Sequence, residues 1–557
     1  MLLLLQFCFY CKYSRGDALT FNFDFLSLFL GTPQLDSLDV VCDYQSEEFA
    51  VRYRGWFIND EDLLTGFELT NKKREVDYPF YHTVVSDSLM KKAVEAALRM
   101  KINLMIPASL MNIDNPDERS IADICARRGM YLTQHHIEPL GVSGFTWEYY
   151  WKKRTGEVPL QSYVINPDKC REVWEYYAKL WAEYPNVIWQ LGLRGKGDTP
   201  VWELDPNVPF DSRGRGRLIS NAIADEYRII EKVLGRSDFV STVTLWLECG
   251  RLMAEKQLEL PENSIIVYSD EGANQMFYQD LEQSGAYTKK GIYYHAAFIA
   301  AGPHLVRGNN PVRMTEQVCH ALGMGCEEYA ILNVSNIREF IENIDCFSGL
   351  MRYGTRFCRK DAVIHYSVKL FSSKSVADRI NMFYAGYPQL SNGCMLLDGI
   401  TVTITRRLIG YFLNPSRKPG LSYINNDRYS DPIEMSEYLE SVFVRGYDAM
   451  AAFIAECGDI PMKSQEFYKS QFIYQPSILM SLYGWAISIC RAIGRGDCSQ
   501  IAMAKQYIDD IRGHMEKNSY SNSEHYLADW THWYRGCGKI SIDLLEPETD
   551  KLDRIMS

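Results

Sequence analysis

The sequence predicts an α/β fold class, a (β/α)8 TIM barrel followed by an all-α helical bundle domain. From about residue 52 to 345, short apolar and β-branched runs alternate with amphipathic segments, the pattern of parallel strands joined by crossover helices. Eight such runs fit the length of one closed barrel better than an open doubly wound sheet. Beyond about residue 355 the alternation stops and stretches of helical period take over.

The runs are YRGWFIND at 53–60, INLMIPAS at 102–109, MYLTQHH at 130–136, VIWQLGLRG at 187–195, FVSTVTLWLE at 239–248, SIIVYSDE at 264–271, GIYYHAAF at 291–298 and YAILNVSN at 329–336. Each is almost continuously apolar, as a strand covered on both faces should be. Between the third and fourth runs, Asn166 is placed to cap a helix that starts at Pro167 and lines up Cys170, Val173, Trp174, Tyr177, Leu180 and Trp181 on one face. A second helix is expected over Leu218 to Leu234, with Gly235 ending it. The link between the sixth and seventh strands is the least regular. In the C-terminal part, MSEYLESVFVRGYDAMAAFIAEC and QPSILMSLYGWAISICRAI carry the bundle. The expected domains are therefore 49–350 for the barrel and 351–557 for the bundle. Residues 1–48 show no clear period and are expected to be a remnant of an N-terminal domain or an unstructured start.

At 557 residues, with 46% hydrophobic and 23% charged, the chain can bury a large core. Its 36 Tyr, 25 Phe and 11 Trp suit a protein that stacks sugar rings, although large cores consume aromatics too. A net charge of -12 without a Lys/Arg-rich run argues against nucleic acid or an anionic membrane as partner. Fifteen Cys without framework spacing indicate reduced thiols in a cytoplasmic protein, with secretion as the alternative. The apolar opening MLLLLQFCFYCKYSRG lacks a basic n-region and a cleavage site and is too short to span a bilayer. Cys8 and Cys11 form one CxxC with no second pair nearby, so no metal site is expected there. No GxGxxG follows a strand, no GxxxxGK[ST] occurs and a Ser nucleophile elbow is absent, so no cofactor is expected.

Barrel chemistry lies at the C-terminal ends of the strands. Strand one ends in Asn59, Asp60, Glu61 and Asp62, strand three in His135, His136 and Glu138, strand four in Arg194 and Asp198, and strand five in Glu248. Strand six ends in Asp270 and Glu271, strand seven in His295, and strand eight in Asn333 and Asn336. Carboxyl groups crowded in one cleft repel one another and are partly desolvated, which separates their pKa values. Glycoside hydrolysis needs that difference: one acid protonates the leaving oxygen while another attacks the sugar or activates water. Bland roles compete at several positions. Asp62 and Asn336 suit helix caps, His135 suits the core, and Arg194 can serve as a counter-ion to the acids. Glu248 beside Trp246 would be costly to bury without a partner, which favours a functional role. Metal chemistry has little support, because strand one offers no HxH pair and no two His residues share an i, i+4 spacing.

From YRGWFINDED onward the chain resembles glycoside hydrolase family 115, the xylan α-glucuronidases. The resemblance continues through QHHIEP at 134–139, LGLRGKGD at 191–198, VYSDEG at 267–272, KGIYYHAAF at 290–298 with GPH at 302–304, and AILNVSNI at 330–337. It covers residues 50 to about 345 and extends more loosely over the helical part. It implies removal of α-linked glucuronic or 4-O-methyl-glucuronic acid from xylan or xylo-oligosaccharides with inversion, and it allows a homodimer. Carried over by motif, Glu248, Asp198 and Asp60 are the catalytic positions, with Glu248 as general acid and Asp198 or Asp60 as base. Arg194 suits the uronate carboxylate, because a guanidinium fork holds such a group bidentately. His136, Glu138, Asp270, His295, Asn333, Asn59 and Glu61 are expected around the sugar. The sequence departs from the family pattern at Gly272, where Asn is usual, and at Ile137 between His136 and Glu138. It is also short for the family. Two alternatives stay open: an inactive carbohydrate-binding relative, and a glycosidase of the same fold for another acidic or neutral glycan.

Overall fold

The computed structural model describes residues 49–59, 70–78, 82–272, 274–297, 306–335, 337, 340–357, 363–364, 367, 373–391, 393–416, 418–419, 429–457, 468–517 and 544–556. Eight strands form one sheet: β1 (Tyr53–Phe57), β2 (Leu104–Ile106), β3 (Tyr131–Leu132), β4 (Ile188–Leu191), β5 (Val240–Leu245), β6 (Ile265–Ser269), β7 (Lys290–His295) and β8 (Tyr329–Asn333). Their order is β3-β2-β1-β8-β7-β6-β5-β4, and every ladder is parallel. A parallel bridge between Leu132 and Val187, with Leu132 N–H donating to Asn186 O at 2.8 Å, brings β3 to β4 and nearly closes the ring.

Between the strands run α1 (Asp87–Arg99), α2 (Pro116–Arg127), α3 (Gly144–Thr155), α4 (Pro167–Trp181), α5 (Ser212–Leu234), α6 (Glu248–Ala254) and α7 (Pro311–Gly323), with α8 (Ile341–Tyr353) after the last strand. Their starts follow local chemistry: Ser86, Ser143 and Asp211 each accept a backbone N–H three residues on, and Asn115 caps ahead of Pro116. Asn166 precedes α4 as expected, but its side chain donates to Leu160 O instead of capping. Gly235 ends α5 at φ 65°. The irregular link between β6 and β7 holds a 3-10 turn, Gln279–Ala286, in place of an α-helix.

Alternate residues of the strands point inward. Tyr53, Phe57, Leu104, Ile106, Ile188 and Ile265 form a buried cluster with Val267, Tyr293, Tyr329 and Ile331. This cluster fills the barrel as side-chain layers.

The chain divides into two compact units: Met1–Glu271 with Met276–Ala296 and Pro311–Ala362, and Gly272–Gln275 with Ala297–Asn310 and Val363–Ser557. The helical unit thus takes up short segments that follow β6 and β7, for which the period of the sequence carries no signal. It contains α9 (Ser375–Ala385), α10 (Asp398–Leu413), α11 (Pro432–Cys457), α12 (Gln475–Arg495), α13 (Ser499–Lys517) and α14 (Leu545–Met556). α12 is central, packed by α10, α11 and α13. A Cβ at Gly484 would lie 2.4 Å from the Tyr507 ring, so glycine permits the close approach of α12 and α13. The stretch Ser470–Arg495 is long and apolar enough to cross a bilayer, yet 83% of that window is buried in the protein, as for the core helix of a bundle.

Candidate active site

The inward period of two continues past the apolar layers and sets what stands at the mouth. It leads from Phe57 to Asn59, from Tyr131 to His135, from Val240 to Trp246, from Tyr293 to His295 and from Ile331 to Asn333. Six rings at and just below this level form a packed set. His135 meets Phe57 at 4.4 Å and His136 at 4.2 Å between centroids; Trp246 meets His136 at 5.5 Å and His295 at 5.3 Å; Tyr293 meets His295 at 4.5 Å.

The acids come from two connections. After β4, Gly197 and Asp198 both take left-handed conformations, φ 70° and 64°. A non-glycine residue adopts this conformation at a cost, and here it folds Asp198 back onto Arg194. Arg194 Nε donates to Asp198 Oδ1 at 2.5 Å and Nη2 to the Asp198 carbonyl at 2.6 Å, while Nη1 bonds Glu248 Oε1. Glu248 is the first residue of α6, not the end of β5 as expected, because β5 stops at Leu245 and Leu247 turns the chain at φ 46°. A carboxylate there faces the positive end of the helix. One guanidinium thus bridges two carboxylates that lie fifty residues apart in the sequence.

Asp198 has further partners: His136 Nε2 lies 3.3 Å from Oδ1, and Trp246 Nε1 donates to Oδ2 at 3.2 Å. Burial opposes its ionisation, but His136 and Arg194 outweigh this and hold the carboxyl well below the usual carboxylate range. Burial lowers the pKa of His136, with Asp198 partly offsetting it, and lowers that of His135 further. Arg194 and Glu248 are buried, with side chains 4% and 5% exposed, whereas Asp198 is 36% exposed and is the accessible member. Glu248 Oε2 is buried and has no hydrogen-bond partner among the described residues, a costly state unless a ligand supplies one.

The other expected residues divide. Asp270 Oδ1 and His295 Nδ1 are 2.6 Å apart and both buried, which fixes the orientation of the imidazole beside Trp246. Asn333 Nδ2 donates to the Tyr293 hydroxyl at 3.0 Å. Asn59 Oδ1 accepts from Ser109 Oγ at 2.5 Å. Glu138 is engaged by backbone instead: its Oε2 accepts from Leu110 N–H at 2.8 Å, and burial pushes its carboxyl up to about 8. It therefore holds the connection after β2, where Leu110 has φ 55°. Asp60, Glu61, Asp62 and Asn336 lie outside the described residues. Two residues not expected at the site, Trp246 and Tyr293, are central to it. Tyr293 sits two residues before His295 on β7, and Trp246 continues the alternation that starts at Val240, so the strand period carried the signal.

Among the described residues no three His, Cys, Asp or Glu side chains are grouped to hold a metal ion. What the arrangement offers is acid-base chemistry: one carboxyl kept ionised, a second bridged to it through a cation, and an aromatic wall beside both.

Residues 46–394 match the family model described as Glycosyl hydrolase family 115. No curated protein matches the sequence. A solved structure described as a family GH115 4-O-methyl-alpha-glucuronidase with specificity for decorated arabinogalactans is similar in fold, with TM-score 0.60 and 15% identity, over 90% of this chain and 64% of that one. The present chain therefore spans just under two thirds of that enzyme's length. A GH138 enzyme targeting pectin rhamnogalacturonan II gives TM-score 0.49 and 11% identity, over 92% of this chain and 68% of that one. The match over well over half of the sequence, on the barrel that carries the bridged acids, establishes that this chain belongs to glycosyl hydrolase family 115.

Proposed function

We propose that the protein is a glycosidase that removes terminal α-linked glucuronic acid, with or without a 4-O-methyl group, from a decorated glycan such as xylan, with inversion. The observation that carries this reading is the Arg194 bridge between Asp198 and Glu248. Asp198, held ionised and accessible, is suited to take a proton from water as the water oxygen bonds to C1 of the sugar. Glu248, the anionic partner of Arg194 in the free protein, takes a proton from solvent as the anionic substrate binds beside it. It donates that proton through Oε2, which no described residue engages, to the departing oxygen as the C1–O bond to the leaving group breaks. His136 and Trp246 orient the Asp198 carboxylate, and the half-buried ring of Trp246, backed by Tyr293, offers a flat face to the sugar. Arg194 has five N–H groups, of which three are engaged by Asp198 and Glu248, so two remain to meet a uronate carboxylate.

Glu248→Gln tests the assignment. Release of uronic acid from glucuronoxylan fragments should fall by roughly 10²–10⁴-fold, as for loss of a general acid. Fragment binding measured by calorimetry should persist. Undiminished turnover in the variant contradicts the role of Glu248.

A further inference from the structure

The connection after β4 carries both Arg194 and Asp198, so their bridge to Glu248 depends on the direction in which the chain leaves that strand. The ladder of β4 with β5 ends at the pair Leu191 and Val243, and Gly192 follows without a strand partner. Close packing does not clamp the chain there. A cavity of about 20 Å³ has Gly192, Leu193 and Arg194 in its lining together with Ile219 and Ile223 of α5 and Thr244 of β5.

A side chain holds Gly192 instead. Glu226 of α5, fully buried, accepts the Gly192 N–H in its Oε2 at 2.8 Å. Its Oε1 is also buried and has no hydrogen-bond partner among the described residues. Burial raises the Glu226 pKa well above the usual carboxylate range, so the group is neutral at pH 7 and serves as an acceptor, not as a charge. The helix is itself fixed at this position, because the neighbouring Asp225 accepts from the Tyr163 hydroxyl and from Arg171 Nη1 of α4, each at 2.6 Å. A buried acid with one idle oxygen is less favourable than an apolar residue of the same size, unless the one bond it makes is needed. We propose that Glu226 is a positioning residue of the acid pair: by holding the Gly192 N–H it aims the connection so that Arg194 reaches Asp198 and Glu248 together. It acts through the backbone of residues 192–194. The consequence for turnover rests on the glycosidase reading; the consequence for the bridge does not.

The test uses variants of the whole chain. Glu226→Leu removes the acceptor at similar volume, Glu226→Met does so with a more adaptable side chain should leucine prevent folding, and Glu226→Gln keeps an oxygen for the N–H. The reporter is the Trp246 indole N–H, which donates to Asp198 Oδ2. Its nitrogen–proton NMR resonance, assigned through Trp246→Phe, follows the place of Asp198 without catalysis. In the apolar variants this resonance should move and amide exchange at Gly192 should quicken about tenfold or more, while Glu226→Gln stays near wild type on both. In assays of uronate release, the apolar variants should lower kcat about tenfold or more and move the acid limb of the pH-rate profile to higher pH, and glutamine should restore both. A resonance that stays in place in a folded apolar variant, or that moves as far in Glu226→Gln, would overturn the proposal. So would wild-type turnover with an unmoved acid limb in a folded apolar variant. No uronate release from wild type, with the resonance moved as expected, would sink the glycosidase reading and leave the positioning role standing.

Discussion

Replacing Arg194 with methionine removes the cation that the site is built around. The side chain is 4% exposed and makes three hydrogen bonds, two to Asp198 and one to Glu248. Without it Asp198 keeps His136 and Trp246, but Glu248, 5% exposed, is left with no hydrogen-bond partner among the described residues. Breaking a buried pair from one side costs about 3–5 kcal/mol, most of it from the charge left behind. Glu248→Gln alone should cost less, about 1–3 kcal/mol, because the amide oxygen can still accept from Arg194. In the double variant no orphaned charge remains, so its loss should fall short of the sum by about 1–3 kcal/mol. Urea unfolding at pH 7, followed by tryptophan fluorescence for the transition that Arg194→Met shifts, measures all three. The gap between wild type and Arg194→Met should also narrow in acid. Asp198 has a depressed pKa in the folded protein, so its contribution is present above its unfolded value, about 4, and is lost as pH falls through the folded one. Additive costs, or a loss under about 1 kcal/mol for Arg194→Met, would refute the electrostatic bridge.

Asp198→Asn removes the proposed base and should lower kcat by roughly 10²–10⁴-fold with KM little changed, as seen in initial-rate kinetics. Trp246→Phe keeps the ring but deletes the N–H donated to Asp198 Oδ2, so the acid limb of the pH-rate profile should move to higher pH; an unmoved limb would remove Trp246 from that role. Glu138→Gln tests the buried carboxyl. Its folded pKa of about 8 lies above the unfolded value, so the native state holds a proton that the unfolded chain releases, and wild-type stability falls as pH rises from about 4.5 to 8. The glutamine variant should lack that decline and gain relative to wild type across the window, which denaturation at pH 5 and pH 8 resolves.

The barrel was legible because parallel strands covered on both faces leave apolar runs, and each of the eight predicted runs overlaps a strand of the sheet. The run FVSTVTLWLE shows the limit. Nothing in its composition marks that the strand ends at Leu245 and that Glu248 opens a helix, because the turn at Leu247 is a backbone event at a residue with no preference for it. Direction is equally hidden: Glu138 and Asp198 both follow apolar strands, yet one faces the backbone of a neighbouring connection and the other a shared guanidinium. Arg194 illustrates a third gap. Its pairing with acids four and fifty-four residues away depends on which connections meet, which no local pattern encodes. Trp246 and Tyr293 were readable in principle from strand alternation, but an aromatic residue on an inward face looks the same whether it fills the core or borders a ligand.

The proposed pairing of Asp198 and Glu248 on an α-linked uronate fixes which anomer leaves the site first. Incubating the whole chain with glucuronate-decorated xylo-oligosaccharides and following the first product by proton NMR tests it most directly. With inversion by this pair, free glucuronic acid appears first as the β-anomer, before mutarotation. First appearance of the α-anomer would contradict the water-using pair, and no release from any decorated oligosaccharide would contradict the activity itself.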